Sequence, residues 1–204
     1  MKIEKKIKIF FILGFFVLIF FSLLVYTLKK PSTNNKPLRV FELNHQVNKF
    51  NLLTHNGKKF NSEFFSKYPS IFFFGFLNCP DVCPATLTKI SQIIEKLEEN
   101  KSRVKFYFVT VDPDRDNLEN MRDYLKIFDS QIIGITGEYI DIKNFLNYMH
   151  VYSEKVFISE NDYTIDHSSQ IFLFKKNGSF FGTISLSDEE QIIFKKINKL
   201  IFGA

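Results

Sequence analysis

The hydrophobic pattern opens with an unbroken apolar run. From Ile9 to Leu28 (IFFILGFFVLIFFSLLVYTL) no residue carries a charge. A helix of that length, at about 1.5 Å per residue, matches the roughly 30 Å hydrocarbon core of a bilayer. Pro31, Ser32, Thr33, Asn34, Asn35 and Pro37 follow, a composition suited to a polar tether. Strand-like and helix-like stretches then alternate. Phe50–Leu53 and Lys58–Phe60 flank Asn56-Gly57, which predicts a hairpin. Ser70–Phe76 (SIFFFGF) is continuous and apolar, as in a strand covered on both faces. Over Cys83–Leu97 the residues Leu87, Ile90, Ile93, Ile94 and Leu97 recur at helical spacing. Val104–Val111 and Ile132–Ile135 read as strands, Leu118–Phe128 and Ile140–Met149 as helices. Ser169–Phe174 and Ser179–Ile184 form a second hairpin across Asn177-Gly178, and Asp188–Phe202 is an amphipathic helix. The expected fold is α/β, a sheet of mixed strand direction flanked by helices.

Composition narrows the class. The chain has 204 residues, 45% hydrophobic, with 26 Phe, enough for one large core. That excludes global disorder. Two cysteines exclude a disulfide-rich scaffold. The formal charge of +5 comes from the first 30 residues, which hold six Lys and one Glu and leave 21 basic and 21 acidic residues beyond. A neutral domain with no basic cluster is a poor phosphate binder, so no nucleic acid is expected as a partner.

The apolar run ends in Val25-Tyr26-Thr27-Leu28-Lys29-Lys30, with no small-x-small cleavage site. An uncleaved anchor is expected. Lys2, Lys5, Lys6 and Lys8 precede it, and Lys29, Lys30, Lys36 and Arg39 follow. The closeness of the first four to the span favours an N-terminus inside the cell. A mitochondrial presequence would be Arg-rich, and the first Arg is Arg39, which points to a bacterial inner membrane. The expected organisation is a cytoplasmic N-terminus and transmembrane anchor (1–30), a polar tether (31–45) and a domain facing the periplasm (46–204).

Candidate chemistry sits where the buried strand gives way to a helix, in Gly75-Phe76-Leu77-Asn78-Cys79-Pro80-Asp81-Val82-Cys83-Pro84. Ligand and redox sites in α/β sheets favour such strand ends, and free amides at a helix start stabilise a thiolate. Helical spacing of Cys79 and Cys83 would put both sulfurs on one side. Three readings stand: a structural disulfide or buried thiols, thiol–disulfide exchange, and a soft-metal site. With two thiolates the metal reading favours copper over structural zinc, which takes four protein ligands. A peroxidase of the peroxiredoxin type would carry Thr where Phe76 stands. Among His45, His55, His150 and His167, the last is mildly preferred as a third ligand, standing between a loop and a core strand.

Three pieces together resemble one family: CPDVCP after an apolar strand, VDPDRD (Val111–Asp116) with DxxxIIGITG (Asp129–Gly137) downstream, and YTIDHSS before the last hairpin. Behind a single apolar span they are similar to the Sco/SenC family of copper-binding, thioredoxin-like proteins. The resemblance runs from about Phe50 to Phe202. It implies a thioredoxin-like fold and a copper site, Cu(I) or Cu(II), made by Cys79, Cys83 and His167. It implies a role in assembling the binuclear copper centre of cytochrome c oxidase, with the oxidase's copper-binding subunit as partner, by copper delivery, thiol reduction or both. Asp112 and Asp166 match family positions near the site. Two departures stand out. Leu77-Asn78 replaces the Thr-His that often precedes the first Cys, and Lys175-Lys176-Asn177-Gly178 replaces the usual acidic turn.

Overall fold

The computed structural model describes residue 20, residues 45–160 and residues 162–203. The expected span over 9–28 (save Phe20) and the tether over 31–45 (save His45) lie outside the described residues. Among the described residues no helix is long and apolar enough to cross a membrane.

The sheet is built outward from β2 (Ser70–Gly75), which is buried at every position, as its unbroken apolar sequence requires. β3 (Lys105–Thr110) pairs parallel to it, with Phe73 beside Phe108 and Gly75 beside Thr110. β4 (Ile132–Gly137) is parallel to β3, and the short β1 (Leu52–Thr54) pairs antiparallel to β4 at that edge. On the other side of β2 lies the antiparallel β7 (Ile171–Phe174), then β8 (Phe180–Ile184). The order β1-β4-β3-β2-β7-β8 is the mixed α/β sheet expected. Aromatic rings fill its two faces: Phe72 meets Tyr107 at 4.8 Å and Phe174 at 5.5 Å, and Phe73 meets Phe108 at 5.9 Å.

The helices are α1 (Glu63–Ser66), α2 (Val82–Lys96), α3 (Leu118–Leu125), α4 (Tyr139–Tyr148) and α5 (Glu190–Phe202). α2 buries Cys83, Thr86, Leu87, Ile90, Ile93 and Ile94, the one-sided pattern its sequence predicts. Asn117 caps α3 by accepting the Asn120 N–H at 2.9 Å.

The hairpin around Asn56-Gly57 is present in short form: the Thr54 N–H donates to the Lys58 carbonyl at 2.8 Å and the Phe60 N–H to the Leu52 carbonyl at 2.9 Å, on either side of a Leu53–Lys59 bridge, while the other edge of β1 pairs with β4. Near the site, residues 153–167 form an unforeseen second sheet, β5 (Ser153–Ser159) paired antiparallel with β6 (Asp162–His167). β5 is exposed at most positions, so its sequence carries no clean in–out alternation.

Candidate metal centre

β2 ends at Gly75, and the chain turns through Phe76, Leu77 and Asn78 before α2 begins at Val82. Cys83 therefore lies in the first turn of α2, while Cys79 lies in the loop before it. The sequence expectation of two helical sulfurs on one side is corrected accordingly. Pro84 fits the first turn because an amide there needs no helical acceptor. Cys79 is held by its own N–H, which donates to the Phe76 carbonyl at 3.2 Å. Its sulfur in turn accepts the Cys83 N–H at 3.4 Å, one of the free amides at the helix start. Both thiols are free, Cys83 buried and Cys79 half-buried.

Gly75 makes room for the buried sulfur. A Cβ there would stand 2.8 Å from Cys83 Sγ and 2.9 Å from Phe108. Burial pushes the Cys83 thiol far up from its ordinary range, so it holds its proton until something displaces it.

His167 is the last residue of β6, not the start of a core strand as the sequence suggested. Its Nε2 stands 3.6 Å from Cys83 Sγ, across 84 residues of chain. Its Nδ1 lies 3.0 Å from the Ser168 carbonyl oxygen. A carbonyl accepts only, so Nδ1 carries the proton and the Nε2 lone pair faces the sulfur. Burial lowers the imidazole pKa, the Ser168 carbonyl and Asp166 partly opposing it. The ring is thus neutral at neutral pH. Phe76 packs against it edge-on at 5.7 Å. The residue that departs from a peroxidase pattern serves here as a wall for the histidine.

Asp112 and Arg115 of VDPDRD fasten the β5–β6 hairpin that carries His167. Buried Asp112 pairs with Arg115 and accepts the Tyr163 hydroxyl at 2.8 Å. Arg115 donates to the Tyr163 carbonyl at 2.9 Å and stacks 3.8 Å from that ring's centre. Lys155 reaches Asp114 at 2.6 Å. Asp116, also buried, accepts the Thr110 hydroxyl at 2.6 Å and the Leu77 N–H at 3.1 Å. It therefore holds the backbone of the Leu77-Asn78 segment just before Cys79. The sequence reading singled out Asp112 but missed Arg115, Asp116 and Tyr163; the clustering of three of these four in and around one turn motif was the available signal. Asp166 is exposed on the outer face of β6, opposite Glu154, and only its charge reaches His167.

The other histidines have local roles or places. His55 Nδ1 accepts the Gly134 N–H at 2.9 Å, and His150 takes a left-handed φ of 54° just past α4. Among the described residues no three of His, Cys, Asp and Glu are gathered closely enough to hold a metal ion at once. The structure presents a preset Cys83–His167 pair and a second sulfur on an adjoining loop. The donor chemistry fits a soft cation: two sulfurs, one neutral imidazole whose Nε2 lone pair is turned to the Cys83 sulfur, and no carboxylate in direct contact with them.

The SCO1/SenC family pattern matches residues 41–202 of the chain. SCO2-like protein RP587 of Rickettsia prowazekii is 38% identical over 164 residues, covering 76% of this chain and 80% of its own. Among solved structures, Bradyrhizobium japonicum ScoI with copper bound has a TM-score of 0.69 at 31% identity, over 74% of this chain and 96% of its own. Yeast Sco1 with copper bound has a TM-score of 0.67 at 31% identity, over 74% and 84%. The match takes in the cysteine turn, the aspartate loop and the histidine hairpin together, and on that extent the chain belongs to the SCO1/SenC family.

Proposed function

We propose that this protein binds copper through Cys79, Cys83 and His167 and assists assembly of the binuclear copper site of cytochrome c oxidase. Its copper is cargo. Residues 9–28 anchor it as a single pass in a bacterial inner membrane, and the thioredoxin-like domain over 46–204 faces the periplasm on the tether 31–45. Supporting the reading are family membership, the copper-bound state of the two similar structures, and above all the approach of His167 Nε2 to Cys83 Sγ at 3.6 Å.

Two thiolates suit Cu(I), and the imidazole nitrogen extends the set towards Cu(II). Each thiol releases its proton when the ion binds, so binding couples to pH. Burial raises the Cys83 thiol, so loss of its proton to the ion carries a cost. The neutral tautomer of His167 needs no rearrangement of protons.

A second reading is thiol–disulfide reduction of the oxidase subunit's copper-ligand cysteines. Half-buried Cys79 beside buried Cys83 favours it. The Cys79 thiolate would attack a partner disulfide and release one partner thiolate. Cys83 would then displace the other, leaving a Cys79–Cys83 disulfide here and two thiols there.

Copper titration of the full chain in detergent, with absorption and EPR readout, tests the site. Cys79→Ser or Cys83→Ser should abolish stable one-to-one binding. His167→Ala should weaken Cu(II) by about tenfold or more while Cu(I) persists. Unchanged Cu(II) affinity and spectrum in His167→Ala would remove His167 from the ligand set. Thiol exchange that survives His167→Ala while oxidase assembly also survives would favour the second reading.

A further inference from the structure

The end of the domain opposite the cysteines collects cations that lie far apart in sequence. Cys79 and Cys83 follow the C-terminal end of β2. At its N-terminal end the Pro69 carbonyl accepts the Lys105 N–H at 3.0 Å, and the Lys105 ammonium stands 5.0 Å from the centre of the Tyr68 ring. The strand register puts Ser70 between Lys105 and Phe174, so Lys175 and Lys176 follow immediately beside it. Lys175, Lys176 and Lys199 line one groove with Phe181 and Phe202, and Arg103 lies 5.5 Å over the Phe202 ring.

Among the described residues none of these five cations is in a salt bridge. All but Lys105 are exposed. Glu98 and Glu99, earlier in the 3-10 turn that carries Arg103, make no ion pair with it. Overall neutrality beyond residue 30 thus conceals a polar arrangement, and the expectation of no basic cluster is corrected. The cluster forms only when β2, β3, the β7–β8 turn and the end of α5 come together.

We infer that this basic and aromatic pole rests on the headgroups of an anionic bilayer. The inference builds on the proposed anchor. The strand register brings the chain into the domain at the thiol-site end, since Leu52 pairs with Gly137 and Val109 pairs with both Ile135 and Phe74. A chain of fifteen residues, the length proposed for the tether, reaches at most about 50 Å, more than the roughly 20 Å of β2 between that end and the pole. The proposed anchor thus allows the pole to meet the lipid surface, where the potential of anionic headgroups acts on it. Four lysines and one arginine interleaved with Tyr68, Phe181 and Phe202 match an interface with anionic headgroups outside and acyl chains beneath. Docked this way, the six residues of β2 raise the thiol site by about 20 Å above the pole. The site then faces away from the lipid, towards the extramembrane part of a partner.

The test uses the full chain in nanodiscs of phosphatidylcholine alone or with one third phosphatidylglycerol. Lysine acetylation, read by mass spectrometry, is followed at Lys175, Lys176 and Lys199, with exposed Lys58 and Lys126 as references. The expected result is labelling at the pole about fivefold or more slower in the anionic discs, with the difference lost at high salt and the references unchanged. Lys175→Glu with Lys176→Glu should abolish the protection at Lys199. Equal labelling in both discs overturns the inference, as does protection that appears only when an acidic protein partner is added. A chain that does not stay with the discs overturns the anchor reading instead. Sedimentation with vesicles of the same two compositions then decides: binding to the anionic ones alone supports the pole, and binding to neither overturns it.

Discussion

Asp116 shows how one buried side chain links the site to pH. Its Oδ2 is satisfied by Thr110 and Leu77, but its Oδ1 is buried without a hydrogen-bond partner. Burial, partly opposed by those two donors, pushes its carboxyl up to about 7. A raised carboxyl means the folded state holds its proton more tightly than the unfolded chain. The associated stability is complete at pH values below the ordinary carboxylate range and is lost as pH rises through about 7. Denaturant unfolding at pH 5 and pH 8 should show the decline, on the order of 2–4 kcal/mol at most, and Asp116→Asn should flatten it. An equal decline in Asp116→Asn would place the titration elsewhere. Gly75 is the second residue with a sharp expectation. Gly75→Ala drives a methyl to 2.8 Å from Cys83 Sγ. It should cost about 1–3 kcal/mol and weaken Cu(II) binding, because sulfur or strand must shift.

At the scale of elements, the site is a junction of three: the β2–α2 turn with both cysteines, the loop after β3, and the β5–β6 hairpin with His167. The loop works as a clasp. Arg115→Ala removes the stack on Tyr163, the bond to its carbonyl and the partner of buried Asp112, a loss of about 3 kcal/mol if the hairpin stays closed. Tyr163→Phe removes one hydroxyl bond to Asp112 and should cost nearer 1 kcal/mol. Both should leave the circular-dichroism spectrum of the core sheet intact. Both should weaken Cu(II) more than Cu(I), in that order, since only the His167-bearing element is released; equal losses for the two oxidation states would argue against a clasp. The sequence showed two of these elements well. SIFFFGF and the spacing from Leu87 to Leu97 state their burial outright, because both faces of β2 and one face of α2 touch the core. The hairpin was hidden because the contacts that fasten it are polar and join residues 41 to 51 positions apart in sequence. Arg115, Tyr163 and Asp112 hold it together with the Lys155–Asp114 pair, and no hydrophobic period records that. His167 could be singled out, but its geometry could not: the distance to Cys83 depends on a strand pair that solvent-facing residues build.

For the whole molecule, the cysteine turn and the basic pole stand at opposite ends of β2, so orientation in the cell determines what each can meet. Charge flanking the apolar run is almost balanced, and the choice of side rests on Lys2, Lys5, Lys6 and Lys8 crowding its N-terminal end. The function proposed above asks for the same side. A half-buried free cysteine beside a buried one is useful where partner disulfides form, and the periplasm is such a compartment. The prediction is that reporters fused after Ala204 will separate by compartment. An alkaline phosphatase fusion, which needs periplasmic disulfides, should be active, and a β-galactosidase fusion, which needs the cytoplasm, should be inactive. Moving the four N-terminal lysines to the far side of the run should reverse both signals, since short flanking segments obey the positive charge count. An active β-galactosidase fusion on the unaltered chain would put the thiols in the reducing cytoplasm. There they could still bind Cu(I), but the side of the membrane assigned to oxidase assembly would be wrong.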